Sequence, residues 1–447
     1  MNKNAKPAFH EQELRNKITR VLEQAQHRGM DAAEAGVSVE TGFSVEVRGG
    51  EVETVEHHQA KALQITVYHQ LRSGSATTSD LTVEALLAAV DKACAIASYG
   101  GEDPCAGIAE QEFLAFEYPD LELFHHWKIS PAEAIKKAIE CDKIARGQDP
   151  RITDAEGTHL SSYDSYKIYG NTNGFVGGYP QSLQSLSCCV VAQFEDSMQR
   201  EFEYTTARAA AQLDDIATVA KSAAQKVLQR QGARRLTTRR CPVIFHAPMA
   251  RGLLSHFVSA ISGRNLYQKA SFLLNQLGEK IFPDFIHIYQ EPHLLRALAS
   301  APFDSEGVST KNQDYVRDGV LLSYILGCYS ARQLKLQTTG NSGGVYNLGI
   351  SHSDLNLEAL LKKMGSGLLI TELMGQGINI VTGNYSRGAG GFWVENGAIQ
   401  YPVNEITVAG QLQNMFRGIQ AISNDTDIRG SIRSGSILID EMTIAGE

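Results

Sequence analysis

The chain opens with apolar residues at helical spacing and continues with apolar residues at every second position. In residues 10–30 the apolar side chains recur three or four positions apart with charged residues between them, which predicts an amphipathic helix. Residues 36–68 alternate apolar and polar positions in short runs, and Gly49-Gly50 supplies a tight turn. This alternation predicts an antiparallel meander with one buried face. A second helix, opened by Thr82 and extending through residue 98, completes an α+β layer.

The rest of the chain alternates helices with strand-like segments and ends in a glycine-rich, β-biased region. A proline at the first helical position predicts a helix beginning at Ser130-Pro131. Residues 150–210 are strand-like, and a further helix is predicted over 213–231 before Gly232, a C-cap residue. Asn396-Gly397 lies between two apolar segments, which is the arrangement that a type I′ hairpin turn requires.

Together these elements predict an α+β protein with more than one domain. A length of 447 residues allows about two to four domains. We place an N-terminal two-layer α/β domain with the antiparallel meander at residues 1–115. A middle α+β domain follows at 116–235, and a β-rich C-terminal domain at 236–447.

Composition and charge restrict the classes of partner. Apolar residues make up 43% of the chain and charged residues 20%, which is enough apolar surface for a sizeable core. The formal net charge is −9, whereas a nucleic-acid surface requires clustered lysine and arginine. The dense basic run "ARRLTTRR" (233–240) is either a solvated linker or a local contact. We therefore expect no nucleic-acid partner.

Segments that would direct the chain to a membrane or out of the cell are not apparent in the sequence. Residues 1–14 contain no apolar core of the kind that a secretory signal has. No window approaches the roughly 20 apolar residues of a membrane span. Seven scattered cysteines without a CxxC pair are typical of free thiols in a reducing compartment. We expect a cytoplasmic protein that does not contact membranes.

The segment "RGLLSHFVSAI" (251–261) raises the question of a metal-binding helix. It follows the apolar strand "CPVIF" and has apolar residues at helical spacing. A zinc site needs about three protein ligands, and a helix supplies two of them from one face, as in HExxH. Here His256 stands alone, with no second ligand at helical spacing. Residue chemistry therefore favours a core helix over a metal helix.

Two further groups of residues are candidates for binding or catalysis. Arg387 lies in "SRGAGG" (386–391), where small neighbours would let a carboxylate or a peptide backbone approach the guanidinium. The glycines alone are equally well explained by turns and close backbone contacts. Cys188 and Cys189 are either nucleophiles or buried strand thiols, and the second is the commoner case.

Long segments of the sequence resemble the PmbA/TldD family, also known as TldE/TldD, and most of all its PmbA (TldE) branch. The resemblance covers nearly the whole chain. The segments that carry it are "VYHQLRSGSATTSDL" (67–81), "DPCAG" (103–107), "PFDSEGV" (302–308), "TELMGQGINIVTGNYSRGAGGFWVENGAIQYPVNEIT" (371–407) and "EMTIAG" (441–446).

The resemblance implies a fold and a partner. It implies an N-terminal α+β domain, a middle region and a C-terminal domain curled like a barrel. It also implies that a TldD-like and a PmbA-like chain act together as a cytoplasmic heterodimeric metalloprotease on peptides or unfolded proteins, including peptide maturation. An older name describes the family as a modulator of DNA gyrase. A homodimer of the isolated chain is the alternative assembly.

In the TldD branch the metal helix follows a strand and reads HExxxH, with a cysteine near the C-terminus as a further ligand. Aligned on the strand, Ser255 takes the first histidine position, His256 the glutamate position and Ala260 the second histidine position. Ser434 lies near the position of the cysteine. The resemblance therefore implies no metal or cofactor and no catalytic residue in this chain, with zinc in a TldD-like partner.

We expect this chain to complete a peptide channel beside its partner. Besides Arg387, the candidate channel residues are Glu372, Gln376, Gly388, Gly390 and Gly391. Two alternative functions stay open: an autonomous metallopeptidase or other hydrolase, and a non-enzymatic regulator of DNA gyrase.

Overall fold

The computed structural model describes residues 10–195 and 197–446. Long antiparallel strands and amphipathic helices alternate in the first half of the chain. These elements are α1 (Glu11–His27), β1 (Ala32–Arg48), β2 (Glu51–His69), β3 (Arg72–Thr78), α2 (Val83–Tyr99), α3 (Pro131–Arg146), β4 (Ile152–Asn171), β5 (Val176–Phe194), β6 (Ser197–Ala207) and α4 (Ile216–Leu228).

The second half of the chain contains shorter strands and helices. They are β7 (Arg239–Phe245), α5 (Ala247–Ala260), α6 (Gly263–Tyr267), β8 (Ile288–Gln290), β9 (Gln313–Arg317), β10 (Val320–Leu321), α7 (Cys328–Leu334), β11 (Leu348–Ile350), α8 (Leu357–Met364), β12 (Gly367–Met374), β13 (Ile378–Asn379), β14 (Asn384–Glu395), β15 (Ala398–Gln411), α9 (Leu412–Arg417), β16 (Ile419–Ile422), β17 (Ile432–Arg433) and β18 (Ile437–Ala445). No helix in the described part of the chain is long and apolar enough to cross a membrane.

These elements form two compact units, and the first unit is assembled from three separate segments. It comprises the chain up to Val227 together with His293–Thr310 and Gly327–Gly343. The second unit comprises Leu228–Pro292, Lys311–Leu326 and the chain from Gly344 onward. The three domain ranges predicted from the sequence divide the chain differently and stay a prediction.

The first unit contains a six-stranded antiparallel sheet in the order β3-β2-β1-β4-β5-β6. Helices α1 and α2 cover one face at one end of the sheet, where they form an apolar core with β1 to β4. The predicted meander is confirmed, but its short runs merge into two long strands, because β1 pairs with β2 from Ala32–Tyr68 to Arg48–Glu51. Gly49 and Gly50 turn between them with φ of 61° and 84°.

The predicted helices of the first unit are confirmed, but α4 is shorter than predicted at both ends. It ends at Leu228, so Gly232 is not its C-cap. Ser130 and Glu133 form a reciprocal capping box at the start of α3. Helix α4 begins at Ile216 instead of residue 213. The Asp215 carboxylate accepts a hydrogen bond from the backbone N–H of Ala217, which fixes the N-terminus of the helix there.

The second unit contains a closed five-stranded barrel. The strand order is β12-β7-β18-β15-β14, and pairing of β14 with β12 closes the circle. This confirms the predicted α+β fold with a barrel-like C-terminal region. The predicted hairpin joins β14 to β15, and Asn396 and Gly397 have φ of 51° and 73°, as a type I′ turn requires. Helix α5 begins directly after barrel strand β7 and carries the first candidate residues.

Candidate functional site

Helix α5 contains most of the segment 251–261 that was considered as a metal-binding helix. Pro248 lies in its first turn, and the amide of Ala247 donates to the hydroxyl of Ser436. One face of the helix is fully buried and apolar. Its residues are Ala247, Ala250, Leu253, Leu254, Phe257 and Ala260. The helix is therefore held in place mainly by hydrophobic burial.

His256 lies on the adjacent face of α5 and contacts the barrel strand β14. Its ring meets the ring of Tyr385 edge-on, with 5.9 Å between centroids. The Nε2 atom is buried and has no hydrogen-bond partner in the described part of the chain. Burial and, to a smaller extent, the nearby positive charge of Arg387 together lower the pKa of His256 to about 4. The imidazole is therefore neutral at pH 7.

Arg387 and Tyr385 are two residues apart on β14 and point to the same side of the strand. Arg387 Nη2 donates to the carbonyl of Leu373 on β12 at 3.3 Å, and its buried Nε meets no acceptor among the described residues. Burial raises the pKa of Tyr385 to about 12, although the adjacent guanidinium acts in the opposite direction. The structure therefore brings together a neutral histidine, a phenol and a guanidinium.

The residues at the metal positions do not fit a zinc ion. The Ser255 hydroxyl donates to the carbonyl of Gly252 at 2.7 Å, and Ala260 is fully buried in the core. Ser434 is also fully buried, and its hydroxyl donates to the carbonyl of Gly435. Within residues 10–195 and 197–446 no three histidine, cysteine or carboxylate side chains are grouped to hold a metal. A divalent cation at His256 would also face the positive charge of Arg387.

The depressed pKa of His256 predicts a measurable pH dependence of stability. The unfolded chain binds the proton near pH 6.5 and the folded chain only near pH 4, so stability is lost as pH falls through this window. We expect the variant His256→Asn to lose about 1 kcal/mol less than the parent between pH 7.5 and 5.5 in urea unfolding. His352→Asn, at an exposed histidine, is the control and should keep the parent's pH dependence. Equal slopes for parent and His256→Asn would contradict the prediction.

The predicted channel residues lie on β12, on β14 and in the segment that follows β12. Glu372 accepts a hydrogen bond from Arg230, whose side chain is only 3% exposed. Gln376 is exposed, and Gly388 faces Met374 across the β12–β14 pair. Their role in a peptide channel stays a prediction.

Two glycines of this segment have a structural reason for lacking a side chain. A Cβ on Gly391 would lie 1.9 Å from the carbonyl oxygen of Leu369, and one on Gly390 would lie 2.8 Å from Arg230 Nη2. Both glycines are buried. They permit the close approach of β14 to β12 that closes the barrel.

The structure places the two adjacent cysteines on β5, where Cys188 is buried and Cys189 is half-buried. Cys188 has no exposed surface on β5, so no substrate reaches it. Burial raises the pKa of Cys189 to about 11, and an activated nucleophile requires a lowered value. All seven cysteines are free thiols.

The sequence contains the letters of a serine-nucleophile motif, and the expectation that no such motif is present was wrong at the level of the letters. Residues 340–344 read "GNSGG" and match the letters of the G-x-S-x-G nucleophile elbow. The elbow requires a strand before the serine and a helix after it, whereas Ser342 lies in a turn. Its amide donates to the buried carboxylate of Asp304 at 2.9 Å, which gives the segment a structural role.

Comparison with known proteins finds matches along nearly the whole chain. Three domains described as PmbA/TldA metallopeptidase domain 1, central domain and C-terminal domain match residues 33–97, 124–231 and 238–446. The Metalloprotease PmbA of Escherichia coli O157:H7 is 48% identical over 97% of this chain and 96% of its own length. The Metalloprotease TldD homolog of Haemophilus influenzae is 23% identical over 67% of each chain.

Solved structures share the fold. A protein from Bacteroides thetaiotaomicron, named as a modulator of DNA gyrase, superposes with a TM-score of 0.92 at 26% identity, covering 97% of this chain and 99% of its own. TldE from Thermococcus kodakarensis superposes with a TM-score of 0.86 at 20% identity, covering 96% and 100%. The whole-length match in sequence and the matching domains show that this chain is a member of the PmbA/TldD metalloprotease family.

Proposed function

We propose that this chain is the metal-free, PmbA/TldE-like subunit of a cytoplasmic two-chain metalloprotease that cleaves peptides, including precursors during maturation. In this proposal a TldD-like chain carries the zinc ion and the catalytic groups. Membership in the family and the presence of TldD-named relatives among the matches support the pairing. Zinc bound to the partner would polarise the scissile carbonyl and activate water there.

The observation that carries the proposal is the environment of His256 on α5. A neutral imidazole is a competent metal ligand, but one ligand does not hold zinc in competition with water. Its neighbours are the ring of Tyr385 and the charge of Arg387, and neither supports a cation at Nε2. By the family resemblance α5 aligns with the metal helix of the TldD branch, and its residues have the chemistry of a core helix.

The contribution of this chain would be to bind and orient the peptide. Strand β14 carries Arg387, whose guanidinium has donors to spare beyond its bond to the Leu373 carbonyl. Such donors suit peptide carbonyl groups or a carboxylate. Glu372 and Gln376 lie on and just after the neighbouring strand and would add polar contacts. An extended peptide is the ligand that fits such strand-borne groups.

The test is reconstitution with a TldD-like chain that has an intact HExxxH motif. We expect the purified chain alone to leave an unfolded peptide uncleaved, and the zinc-loaded pair to cleave it faster than the TldD-like chain alone. The variant Arg387→Ala should raise KM for the peptide while the two chains still copurify. Arg417→Ala, elsewhere on the same unit, is the matched control and should behave as the parent does.

Three results would contradict the proposal. Full-rate cleavage by this chain alone, with stoichiometric zinc that survives dialysis, would favour an autonomous metallopeptidase. Capture of a gyrase subunit from cell extract, without any TldD-like chain, would favour a regulator of gyrase. No change in cleavage when the two chains are mixed would remove the role in peptide binding.

A further inference from the structure

A cavity of about 570 Å³ lies on one face of the six-stranded sheet in the first unit. Its lining comes from β1, β4 and β5, from the end of β6, and from Leu298 in the segment 293–310. Glu40, Ser165 and Gln181 form one row across this lining, because Ser165 is the register partner of both others. The volume is in the range of sites for small molecules. The residues of the candidate site on α5 and β14 belong to the second unit, so this cavity is a separate feature.

Arg208 lines this cavity and is only 6% exposed. Its Nη1 donates to the carbonyl of Ser182 at 3.0 Å, and its Nη2 donates to the carbonyl of Leu298. Its Nε is buried and meets no acceptor among the described residues. Two neutral carbonyl groups use two N–H groups of the guanidinium, but they do not neutralise its charge.

The missing counterion distinguishes Arg208 from the other buried arginine in the described part of the chain. Arg230 is 3% exposed and donates to the carboxylate of Glu372. Arg208 has no ion pair with any carboxylate in residues 10–195 and 197–446. Tying two backbone carbonyls together requires N–H donors, whereas burying an unpaired charge is costly. A purely structural role therefore leaves the charge of Arg208 unexplained.

We propose that the cavity binds a small ligand through a single carboxylate, which supplies the counterion that Arg208 lacks. A guanidinium matches the planar geometry of a carboxylate and can bind both of its oxygens. Lys167 lines the same cavity, is exposed, and forms no ion pair in the described part of the chain. Its ammonium group supplies a second cation for the same carboxylate. The proposal concerns the first unit alone and does not depend on the proposed function.

Glu40 argues for a carboxylate over a phosphate as the ligand group. Its carboxylate also faces the cavity, and His58 Nε2 lies 3.1 Å from it. A phosphate would bring a second negative charge close to Glu40, and like charges repel at this range. A carboxylate has one charge, which Arg208 and Lys167 can balance.

The rest of the lining indicates what the carboxylate is attached to. Tyr163, Leu183 and Leu298 offer apolar contact, while Gln181 and Thr206 offer hydrogen bonds to an amide. A carboxylate next to an apolar group and an amide is the chemistry of an N-acylated amino acid. The C-terminal residue of a peptide presents the same groups.

Isothermal titration calorimetry on the full chain tests the proposal with N-acetyl-leucine and N-acetyl-leucinamide, which differ only in the carboxylate. We expect the acid to bind and the amide not to bind. Arg208→Met should weaken binding of the acid about tenfold or more, because it removes a charged donor group. Lys167→Gln should weaken it about two- to fivefold, because Lys167 is exposed to water. Lys221→Gln, at an exposed lysine on α4 outside the cavity, is the matched control and should bind as the parent does.

Arg208→Met also removes two hydrogen bonds, so circular dichroism and the thermal midpoint must show that it folds. If it does not fold, Lys167→Gln decides the test, because Lys167 makes no such bond. Equal binding of acid and amide, no binding of the acid at millimolar concentration, or unchanged affinity in the folded variants would overturn the proposal. Tighter binding of inorganic phosphate than of N-acetyl-leucine would overturn the choice of a carboxylate.

A second comparison distinguishes the two sources of the carboxylate. N-acetyl-glycylglycylleucine has the same C-terminal residue as N-acetyl-leucine and a longer chain. Tighter binding of this peptide would support the C-terminus of a peptide as the ligand, whereas tighter binding of N-acetyl-leucine would support a free organic acid.

Discussion

Replacing Phe257 by alanine is expected to lower the free energy of unfolding of the second unit by about 4 kcal/mol. The Phe257 ring is fully buried on α5 and meets Phe282 edge-on, with centroids 5.4 Å apart. Phe282 in turn stacks on Phe416 at 4.8 Å, and Phe257 contacts that ring too. Truncation removes buried apolar surface and leaves a cavity among rigid rings, so both terms of the loss apply.

Unfolding of the second unit can be followed through one residue. The chain has two tryptophans, Trp127 in the first unit and Trp393 in the second, and Trp393 is buried. In a Trp127→Phe background, urea unfolding monitored by fluorescence therefore reports on the second unit. Phe285→Ala is the matched control, because Phe285 is 51% exposed and its loss should matter little. A small effect of Phe257→Ala would mean that α5 is not fixed by its core face.

Replacing Glu372 by alanine is expected to destabilise the second unit by about 3 kcal/mol. The change leaves the guanidinium of Arg230, 3% exposed, without the carboxylate that Glu372 supplies. A buried charge that loses a counterion is left with part of its desolvation penalty uncompensated. This loss of stability lies at the lower end of the range of about 3–5 kcal/mol for a broken buried ion pair, because Glu372 is itself 39% exposed and water reaches it.

The double variant Arg230→Met with Glu372→Leu separates a structural role from a role in peptide binding. Apolar residues of similar volume should restore most of the lost stability, because they remove both charges together. Glu441→Ala, in the exposed pair with Arg240, should change stability very little. If the stable double variant still supports peptide cleavage by the two-chain enzyme, Glu372 is not needed to bind the peptide. If it fails only in cleavage, the channel assignment gains support.

Local patterns in the sequence predicted most of the elements. Helix α1, the capped start of α3 and the Asn396-Gly397 hairpin follow from short-range rules, because spacing, capping and turn chemistry act within a few residues. The merging of short runs into the long strands β1 and β2 was less evident, since pairing across strands decides where a strand stops.

The surroundings of the candidate site could not be predicted from local sequence patterns. His256, Tyr385 and Arg387 meet only because folding brings the His256 side chain of α5 to Tyr385 on β14, and their separation in sequence hides the contact. The pKa of His256 depends on burial and on a charge brought near by folding, and neither is a property of "SHFVSA" itself. The resemblance implied how α5 aligns with the metal helix of the TldD branch, and the structure added the electrostatic surroundings of His256.

The segmented first unit has a consequence for how the chain is synthesised. Arg332 on α7 donates to the carbonyls of Cys105, Gly107 and Ile108. These carbonyls can form their hydrogen bonds only after more than 200 further residues have been synthesised. The ribosome must therefore release the chain past Gly343 before the first unit has all of its segments. A truncated chain that ends at Val227 lacks two of the three segments, and a single proteolytic cut cannot free either unit whole. Expression of isolated halves is thus a poor route to either unit.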